Sequence, residues 1–246
     1  MGHEWDAASY DRVSDPQVGW AAPVIERIDR SGVRHLLDAG CGSGRVTQML
    51  MERFPRLRVT AIDASPAMLA EAGRRLESFG DRVDLVRADL SRSLPALPTA
   101  DVVFSTATFH WIADHGSLFK NLAGVLRPGG QLVAQWGGGR NIASVVEVLG
   151  EVGDGWTGPW NFATVEETRV RLLEAGFTDL EVWTHDDPAD FDSQETLEEF
   201  MRTVILGAHL ERLEPDQHDG FVRAVADRLP ANRVDYVRLN ATGRLT

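Results

Sequence analysis

Residues 38–44, Asp38-Ala39-Gly40-Cys41-Gly42-Ser43-Gly44, are the most informative part of the sequence. This stretch follows a short apolar segment at residues 35–38 and precedes a segment in which Val46, Met49 and Leu50 recur at helical spacing. Glycines between a strand and a helix let the backbone turn tightly and let a ligand approach the main chain. Ligands of open α/β sheets bind at the carboxyl ends of the strands, where the strand order reverses. The stretch therefore predicts a ligand-binding turn after the first strand of a parallel sheet.

Strands and helices alternate through the middle of the chain. Further strands are predicted at residues 57–62, 83–86, 101–105 and 131–136, and Ser65 and Pro66 predict the start of a helix. The breaker at residues 127–130, Arg-Pro-Gly-Gly, is predicted to stop the helix that carries Leu118 and Leu126. This alternation predicts a doubly wound α/β fold, with helices on both faces of a mostly parallel seven-stranded sheet.

The pattern changes after residues 137–139. A helix is predicted near 142–149, and Thr164 and Glu167 form a capping-box pattern for another. Strands follow at 180–183 and 234–239, separated by a helical insertion at about 192–230 that we expect to cover the site. We predict a single domain over residues 1–246: an N-terminal helical lid at 1–32 with a helix near 24–28, a cofactor-binding core at 33–139, and a C-terminal part at 140–246.

Composition narrows the possible partners and location. The net charge of -12 would repel nucleic acids, and no run of about 18 apolar residues predicts a membrane helix. The beginning of the chain carries no apolar stretch typical of a signal peptide, and the single cysteine, Cys41, suits a reducing cytoplasm. No cluster of metal ligands is evident. We expect a cytoplasmic protein with a small-molecule partner and no metal, and the sequence leaves the oligomeric state open.

Acidic residues stand at the ends of the next two predicted strands. Asp63 can accept hydrogen bonds from both hydroxyls of a ribose, and Asp89 can take the amino group of an adenine. Each acid alone is compatible with a solvated loop, but their joint placement beside a glycine turn favours a nucleoside-containing ligand. A dinucleotide fingerprint would need glycine at position 45, where Arg45 stands. The pattern favours S-adenosylmethionine (SAM), which has no pyrophosphate.

Residues 37–44 resemble the first signature motif of class I SAM-dependent methyltransferases, and Asp63, Asp89 and residues 126–130 fall where later motifs of that family fall. The resemblance covers about residues 33–136 and is specific to the class, not to a substrate. It implies a Rossmann-like methyltransferase fold with SAM as cofactor. The cofactor-binding residues it implies are Trp5, Tyr10, Asp38, Gly40, Gly42, Gly44, Asp63, Ala64, Met68, Asp89, Leu90, Thr106 and Trp111.

The resemblance extends to the trans-aconitate methyltransferase-like group. Trp5 and Tyr10 resemble that group's N-terminal lid, which closes over SAM, and residues 109–111, Phe-His-Trp, are similar as well. The lid usually carries an arginine a few residues after the tyrosine, where Gln17 stands near that place here. The resemblance therefore does not assign that group's substrate to this chain.

The resemblance favours O-methylation of a small organic acid. An ionised carboxylate needs no base, whereas a hydroxyl or amine acceptor would use His110 as one; a purely structural His110 is the alternative. Arg140 and Arg238 are candidate partners of the acid. Residues 105–108 read Ser-Thr-Ala-Thr, which does not resemble the Asn-Pro-Pro-Tyr motif of amide and nucleobase methylation. Competing hypotheses are a SAM-binding regulator without catalysis and an NAD-dependent oxidoreductase.

Overall fold

Nine strands and nine α-helices are described by the computed structural model, which covers the backbone of residues 15–246 and side chains from residue 19. The strands are β1 (His35–Ala39), β2 (Arg58–Asp63), β3 (Val83–Arg87), β4 (Ala100–Thr106), β5 (Leu126–Gly137), β6 (Phe177–Asp186), β7 (Ala189–Asp190), β8 (Arg233–Val234) and β9 (Val237–Leu245). The helices are α1 (Asp15–Ile25), α2 (Arg45–Arg53), α3 (Pro66–Leu76), α4 (His115–Ala123), α5 (Ala143–Val152), α6 (Val165–Glu174), α7 (Gln194–Phe200), α8 (Gly207–Leu210) and α9 (His218–Ala226).

Seven of the strands form one sheet in the order β3-β2-β1-β4-β5-β9-β6. The pairings among β1 to β5 are parallel, and β9 runs antiparallel between β5 and β6. The predicted fold class, a doubly wound and mostly parallel seven-stranded sheet, is confirmed. Strands β7 and β8 form a separate small ribbon.

Each face of the sheet carries its own core. Adjacent residues of a strand point to opposite faces, so Leu36 packs with Leu50 of α2 on one side, while Leu37 packs with Phe119 of α4 on the other. A third cluster joins α5, α7 and α9. This arrangement leaves the carboxyl ends of β1 and β4 bordered by helices on both faces.

Some element boundaries differ from the sequence predictions. Helix α4 ends at Ala123, before Leu126, and the Pro128-Gly129-Gly130 segment lies inside β5. The strand tolerates it through a register shift opposite Ala100–Val102. The single strand predicted at 234–239 is divided between β8 and β9, and the first described helix, α1, ends at Ile25 where we predicted a helix near 24–28. None of the described helices is long and apolar enough to span a membrane.

The capping box of α6 gives a direct test of local stability. The Thr164 hydroxyl accepts a hydrogen bond from Glu167 N, and the Glu167 carboxylate accepts one from Thr164 N. Thr164→Ala should lower the free energy of unfolding by about 1 kcal/mol, measured by urea denaturation. Thr164→Ser keeps the hydroxyl and serves as the control; an equal loss in both variants would contradict the cap.

Candidate active site

A cleft of about 1200 Å³ opens at the carboxyl ends of the strands, beside β1 where the strand order reverses. Strand β1 pairs with β2 on one side and β4 on the other, so the loops after these strands meet there. Ten of the predicted cofactor-binding residues line this cleft: Asp38, Gly40, Gly42, Asp63, Ala64, Met68, Asp89, Leu90, Thr106 and Trp111. The predicted Trp5 and Tyr10 lie outside the described residues.

The glycine turn after β1 uses its three glycines differently. Gly40 has φ +85°, and a Cβ there would stand 2.3 Å from Thr108 Cγ2. Gly42 has φ +54° and open space where a Cβ would project, so its missing side chain leaves the cleft accessible. Gly44 was predicted to bind the cofactor, but it does not line the cleft. It precedes α2 with φ +81°, and a Cβ there would stand 3.1 Å from Ala72 of α3.

Asp63 holds the glycine turn to the loop after β2. Its Oδ2 accepts a hydrogen bond from Gly42 N, and its Oδ1 accepts one from Ser65 N, each at 2.9 Å. Burial raises the pKa of Asp63, and these backbone donors oppose the rise. Ser65 in turn caps α3 by accepting from Met68 N, as predicted. Asp63 thus has a structural role that the sequence did not reveal.

Asp38 is the most deeply buried acid of the cleft, with 2 % of its surface exposed. Its Oδ2 accepts a hydrogen bond from the Thr47 hydroxyl at 2.6 Å. Burial, opposed by the Thr47 bond and reinforced by the Asp63 charge, raises the pKa of Asp38 to about 7. A positive charge bound beside it would favour the ionised carboxylate.

The far end of the cleft carries the third predicted acid. Asp89 Oδ1 accepts hydrogen bonds from the backbone nitrogen and the hydroxyl of Ser91 at 2.9 and 2.6 Å. Met68 and Leu90, which line the same cleft, are buried. Two apolar side chains and a carboxylate are the surroundings that a base with an exocyclic amino group requires.

A smaller chamber of about 40 Å³ adjoins the cleft, and Ala107 and Trp111 line both. His110, the predicted catalytic residue, lines this chamber and not the cleft. Two residues of its wall, Ala107 and Ile142, have left-handed backbone with φ +54° and +49° although neither is glycine. Such strain persists where the surrounding structure imposes it, and it is frequent at functional sites.

His110 is neutral in this arrangement. Its Nδ1 accepts a hydrogen bond from Gly137 N at 3.4 Å, which places the ring proton on Nε2. Burial, followed by the charge of Arg238, holds the pKa of His110 well below its ordinary value. A base with so low a pKa is weak, so the ring is better suited to donate a hydrogen bond than to remove a proton.

Two further polar side chains line the chamber. Arg238 is 2 % exposed; its Nε donates to Gln135 Oε1 at 3.4 Å, and its guanidinium lies 4.3 Å from the centre of the Trp20 ring. Asn141 is 3 % exposed, and its Oδ1 accepts from Val237 N, which leaves the N–H groups of Nδ2 as its donors. Arg140, the other arginine singled out from the sequence, is exposed and lines neither space.

Sequence reasoning missed most of the chamber. Its lining residues Asn141, Trp160, Phe162 and Tyr236 come from three separate parts of the chain and belong to no motif. The Gly- and Trp-rich composition of residues 150–160 was the available signal, and that segment supplies Trp156 and Pro159 to the cleft. No group of His, Cys, Asp or Glu in the described part of the chain is arranged to hold a metal ion.

Comparison with known proteins identifies the core. Residues 36–130 match the family model described as a methyltransferase domain. These residues are therefore similar to a methyltransferase domain. Trans-aconitate 2-methyltransferase of Acidovorax ebreus (strain TPSY) is 38% identical over 133 residues, which cover 54% of this chain and 50% of that protein. The chain thus spans about half the length of the curated relatives it matches.

Solved structures agree on the fold. Haemonchus contortus phosphoethanolamine N-methyltransferase 2 in complex with SAM has a TM-score of 0.66 at 22% identity, covering 98% of this chain and 57% of that one. The [4+2]-cyclase SpnF has a TM-score of 0.62 at 22% identity, covering 93% and 81%. A methyltransferase and a cyclase therefore share this architecture, and the acceptor chemistry depends on the site.

The neutrality of His110 can be measured directly. We expect its ring carbon and nitrogen chemical shifts to stay those of a neutral imidazole from about pH 8 down to 5.5, because burial disfavours the charged form. The measurement is an NMR pH titration, with the resonance assigned by its loss in His110→Gln. A titration midpoint at or above the ordinary value of histidine would contradict this account.

Proposed function

We propose that this protein is a SAM-dependent methyltransferase that methylates the carboxylate of a small organic acid. The observation that carries the proposal is the donor set of the chamber: a neutral His110, the Nδ2 group of Asn141 and the guanidinium of Arg238. All three present N–H donors beside the cofactor cleft. A carboxylate, which only accepts hydrogen bonds when ionised, matches that set.

The cleft fits SAM on the chemistry of its residues. Asp63 has lone pairs beyond those used by Gly42 and Ser65, and these can accept from ribose hydroxyls. Asp38 would face the positively charged methionine part, and Asp89 with Leu90 would hold the adenine. When bound, SAM supplies an activated methyl group: the acceptor oxygen bonds to the methyl carbon as the carbon–sulfur bond breaks, and the electron pair stays on sulfur.

The residues of the protein itself would contribute to catalysis by positioning the acceptor and by excluding water. Arg238 and Asn141 are nearly inaccessible to solvent, so the bonds they donate are not weakened by competing water. Trp111 and Ala107 stand where the chamber meets the cleft, and they would hold the acceptor oxygen toward the cofactor. Such positioning is a large part of catalysis when no proton has to move.

Hydroxyl and amine acceptors fit the chamber less well. A hydroxyl must lose a proton, and the low pKa of His110 makes it a poor base for that purpose. A protonated amine would meet the positive charge of Arg238, which is buried in the same chamber. Both acceptors stay possible outcomes of an activity screen, which would use SAM and matched acids, alcohols and amines with detection of methylated product by mass spectrometry.

A SAM-binding protein without methyl transfer is the competing hypothesis of another class. A cyclase, SpnF, shares the fold, so the fold by itself does not imply methyl transfer. The same screen separates the two, because a non-catalytic binder would retain SAM affinity and give no methylated product from any acceptor class. The buried donor set next to the cleft favours the enzyme, since a regulator has no need of it.

Gly42 tests the cofactor site. Gly42→Ala should weaken SAM binding by about tenfold or more, because a methyl group would project into the cleft. Gly32→Ala is the matched control: Gly32 also has positive φ, +74°, and open space at its Cβ, but it lies outside the cleft. Both variants should lose about 1 kcal/mol of stability from backbone strain. Equal SAM affinity in the two variants, by calorimetry, would argue against the site.

His110→Gln tests the acceptor chemistry. Glutamine keeps an N–H donor but cannot act as a base, so activity on a carboxylate should fall by less than about tenfold. A loss of about 10²–10⁴-fold would indicate general-base catalysis. The check is kcat/KM against pH for wild type and variant. Disappearance of a rising limb in the variant, together with the larger loss, would favour a hydroxyl or amine acceptor.

A further inference from the structure

The loop between α5 and α6 supplies part of the wall of the cofactor cleft. This α5–α6 loop comprises residues 153–164, and within it Trp156 and Pro159 line the cleft. Ala208 in α8 and Arg212 just after it line the cleft as well. All four residues lie outside the segment at 36–130 that matches the methyltransferase domain model. The cleft therefore has a wall that the family pattern does not describe, and Trp156 is the largest of these four side chains.

Two side chains from the α8 segment hold the Trp156 ring. The Arg212 guanidinium lies 4.4 Å from the ring centre, which is within the range of a cation–π contact. The His209 ring lies 4.6 Å from the same centre at an angle of 42°, and His209 is buried. The Trp156 side chain is itself only partly buried and lines the cleft. The indole thus packs on the α8 segment while part of its surface is available to a ligand.

Asp154 fixes the position of both Trp156 and Arg212. Its Oδ1 accepts a hydrogen bond from Trp156 N at 3.0 Å, and its Oδ2 accepts one from Arg212 Nη2 at 2.6 Å. These two donors hold the pKa of Asp154 below its ordinary value, so the carboxylate is ionised at neutral pH. Asp154 does not itself line the cleft. An effect of its charge on a bound ligand therefore has to pass through the residues that it holds.

The other end of the α5–α6 loop is tied to the loop that follows β4. Asn161 N donates a hydrogen bond to His110 O at 2.8 Å, and Asn161 Nδ2 donates one to Ala113 O at 2.9 Å. Ala113 and its neighbour Ile112 line the cleft, and Ile112 belongs to the same apolar cluster as Leu90 at the predicted adenine site. The loop is therefore anchored at both ends, and its indole is held against the space that the cofactor requires.

We propose that Trp156 is a ligand-contact residue that packs against bound SAM, and that Asp154 is a positioning residue that acts on the ligand through Arg212 and Trp156. A ring already fixed by its neighbours loses little conformational freedom when the ligand arrives, which increases affinity. The flat adenine and the apolar chain of SAM offer surfaces on which an indole packs well. The proposal concerns the cofactor, so it does not rest on the acceptor class proposed above.

Cofactor binding to the full chain tests the contact without an acceptor. The probe is S-adenosylhomocysteine, the demethylated form of SAM, titrated calorimetrically. Trp156→Leu should weaken its binding by about three- to tenfold, the range expected for loss of an aromatic contact. Trp183→Leu is the matched control: Trp183 lies on β6 with the Arg27 guanidinium 4.7 Å from its ring centre, but outside the cleft. A loss in Trp156→Leu no larger than that in the control would overturn the contact.

Asp154→Asn tests the positioning role. The amide keeps an oxygen that can accept from Trp156 N, and the substitution removes the charge that pairs with Arg212. Binding of S-adenosylhomocysteine should weaken by about two- to fivefold, since an exposed ion pair contributes little more than that. Asp219→Asn is the matched control, because it breaks another exposed pair, with Arg202, outside the cleft. A loss no larger than that of the control would overturn the positioning role.

A double variant distinguishes positioning from an independent contribution. If Asp154 acts through Trp156, replacing it in the Trp156→Leu chain should leave the affinity for S-adenosylhomocysteine as it is in Trp156→Leu alone. If the two losses multiply, Asp154 acts by another route, and the positioning role is overturned while the Trp156 contact stands.

A spectroscopic measurement keeps the contact testable if Trp156→Leu does not fold. The full chain is labelled with 5-fluorotryptophan, and the fluorine resonance of Trp156 is assigned by its disappearance in Trp156→Phe. That resonance should shift when S-adenosylhomocysteine saturates the protein, whereas the resonance of Trp183, assigned in the same way, should stay in place. A Trp156 resonance that does not move would overturn the proposal.

Discussion

The reversal of strand order between β1 and β4 is the constraint on which the site depends. Strand β1 pairs with β2 on one side and β4 on the other, and the helices that follow pack against opposite faces of the sheet. The connections therefore diverge, and a cleft opens at the carboxyl ends. The glycine turn after β1 lines one side of the cleft, and Thr106 at the end of β4 and Ala107 after it line another.

Asp38, which is buried, and Asp63, which is partly buried, favour a positively charged ligand in this cleft. Asp63 is satisfied by two backbone donors, and Asp38 by one hydroxyl, yet burial raises the pKa of both. A bound cation would stabilise the ionised forms of the two carboxylates, whereas the pyrophosphate of a dinucleotide would oppose them. The sulfonium and ammonium groups of SAM match this need, which gives a physical reason for the cofactor class beyond the absence of glycine at Arg45.

Sequence could predict what depends on local pattern. The glycine turn, the acids after β2 and β3 and the cap at Ser65 follow from neighbours in the chain, and the structure brings them to one cleft. Gly44 was wrongly predicted to line the cofactor site, because a positive φ and close contact with α3 require glycine as strictly as a ligand does. Asn141 and Arg238 were beyond local reasoning, since they meet only through pairing of β5 with β9 and the turn that follows β5. The extent of β5 was also misjudged, because a bulge lets a strand absorb a proline and two glycines.

The division of the chain explains why its fold is easier to recognise than its acceptor. The methyltransferase domain match covers residues 36–130, which supply the cleft with its glycine turn and acids. Of the chamber, that segment contributes only Ala107, His110 and Trp111; its amide and its guanidinium both come from after residue 140. The matched segment thus holds the cleft, while most of the chamber comes from the part of the chain outside the match. Transfer of a relative's substrate to this chain would require the same chamber, and the curated relatives are matched over only about half of their length.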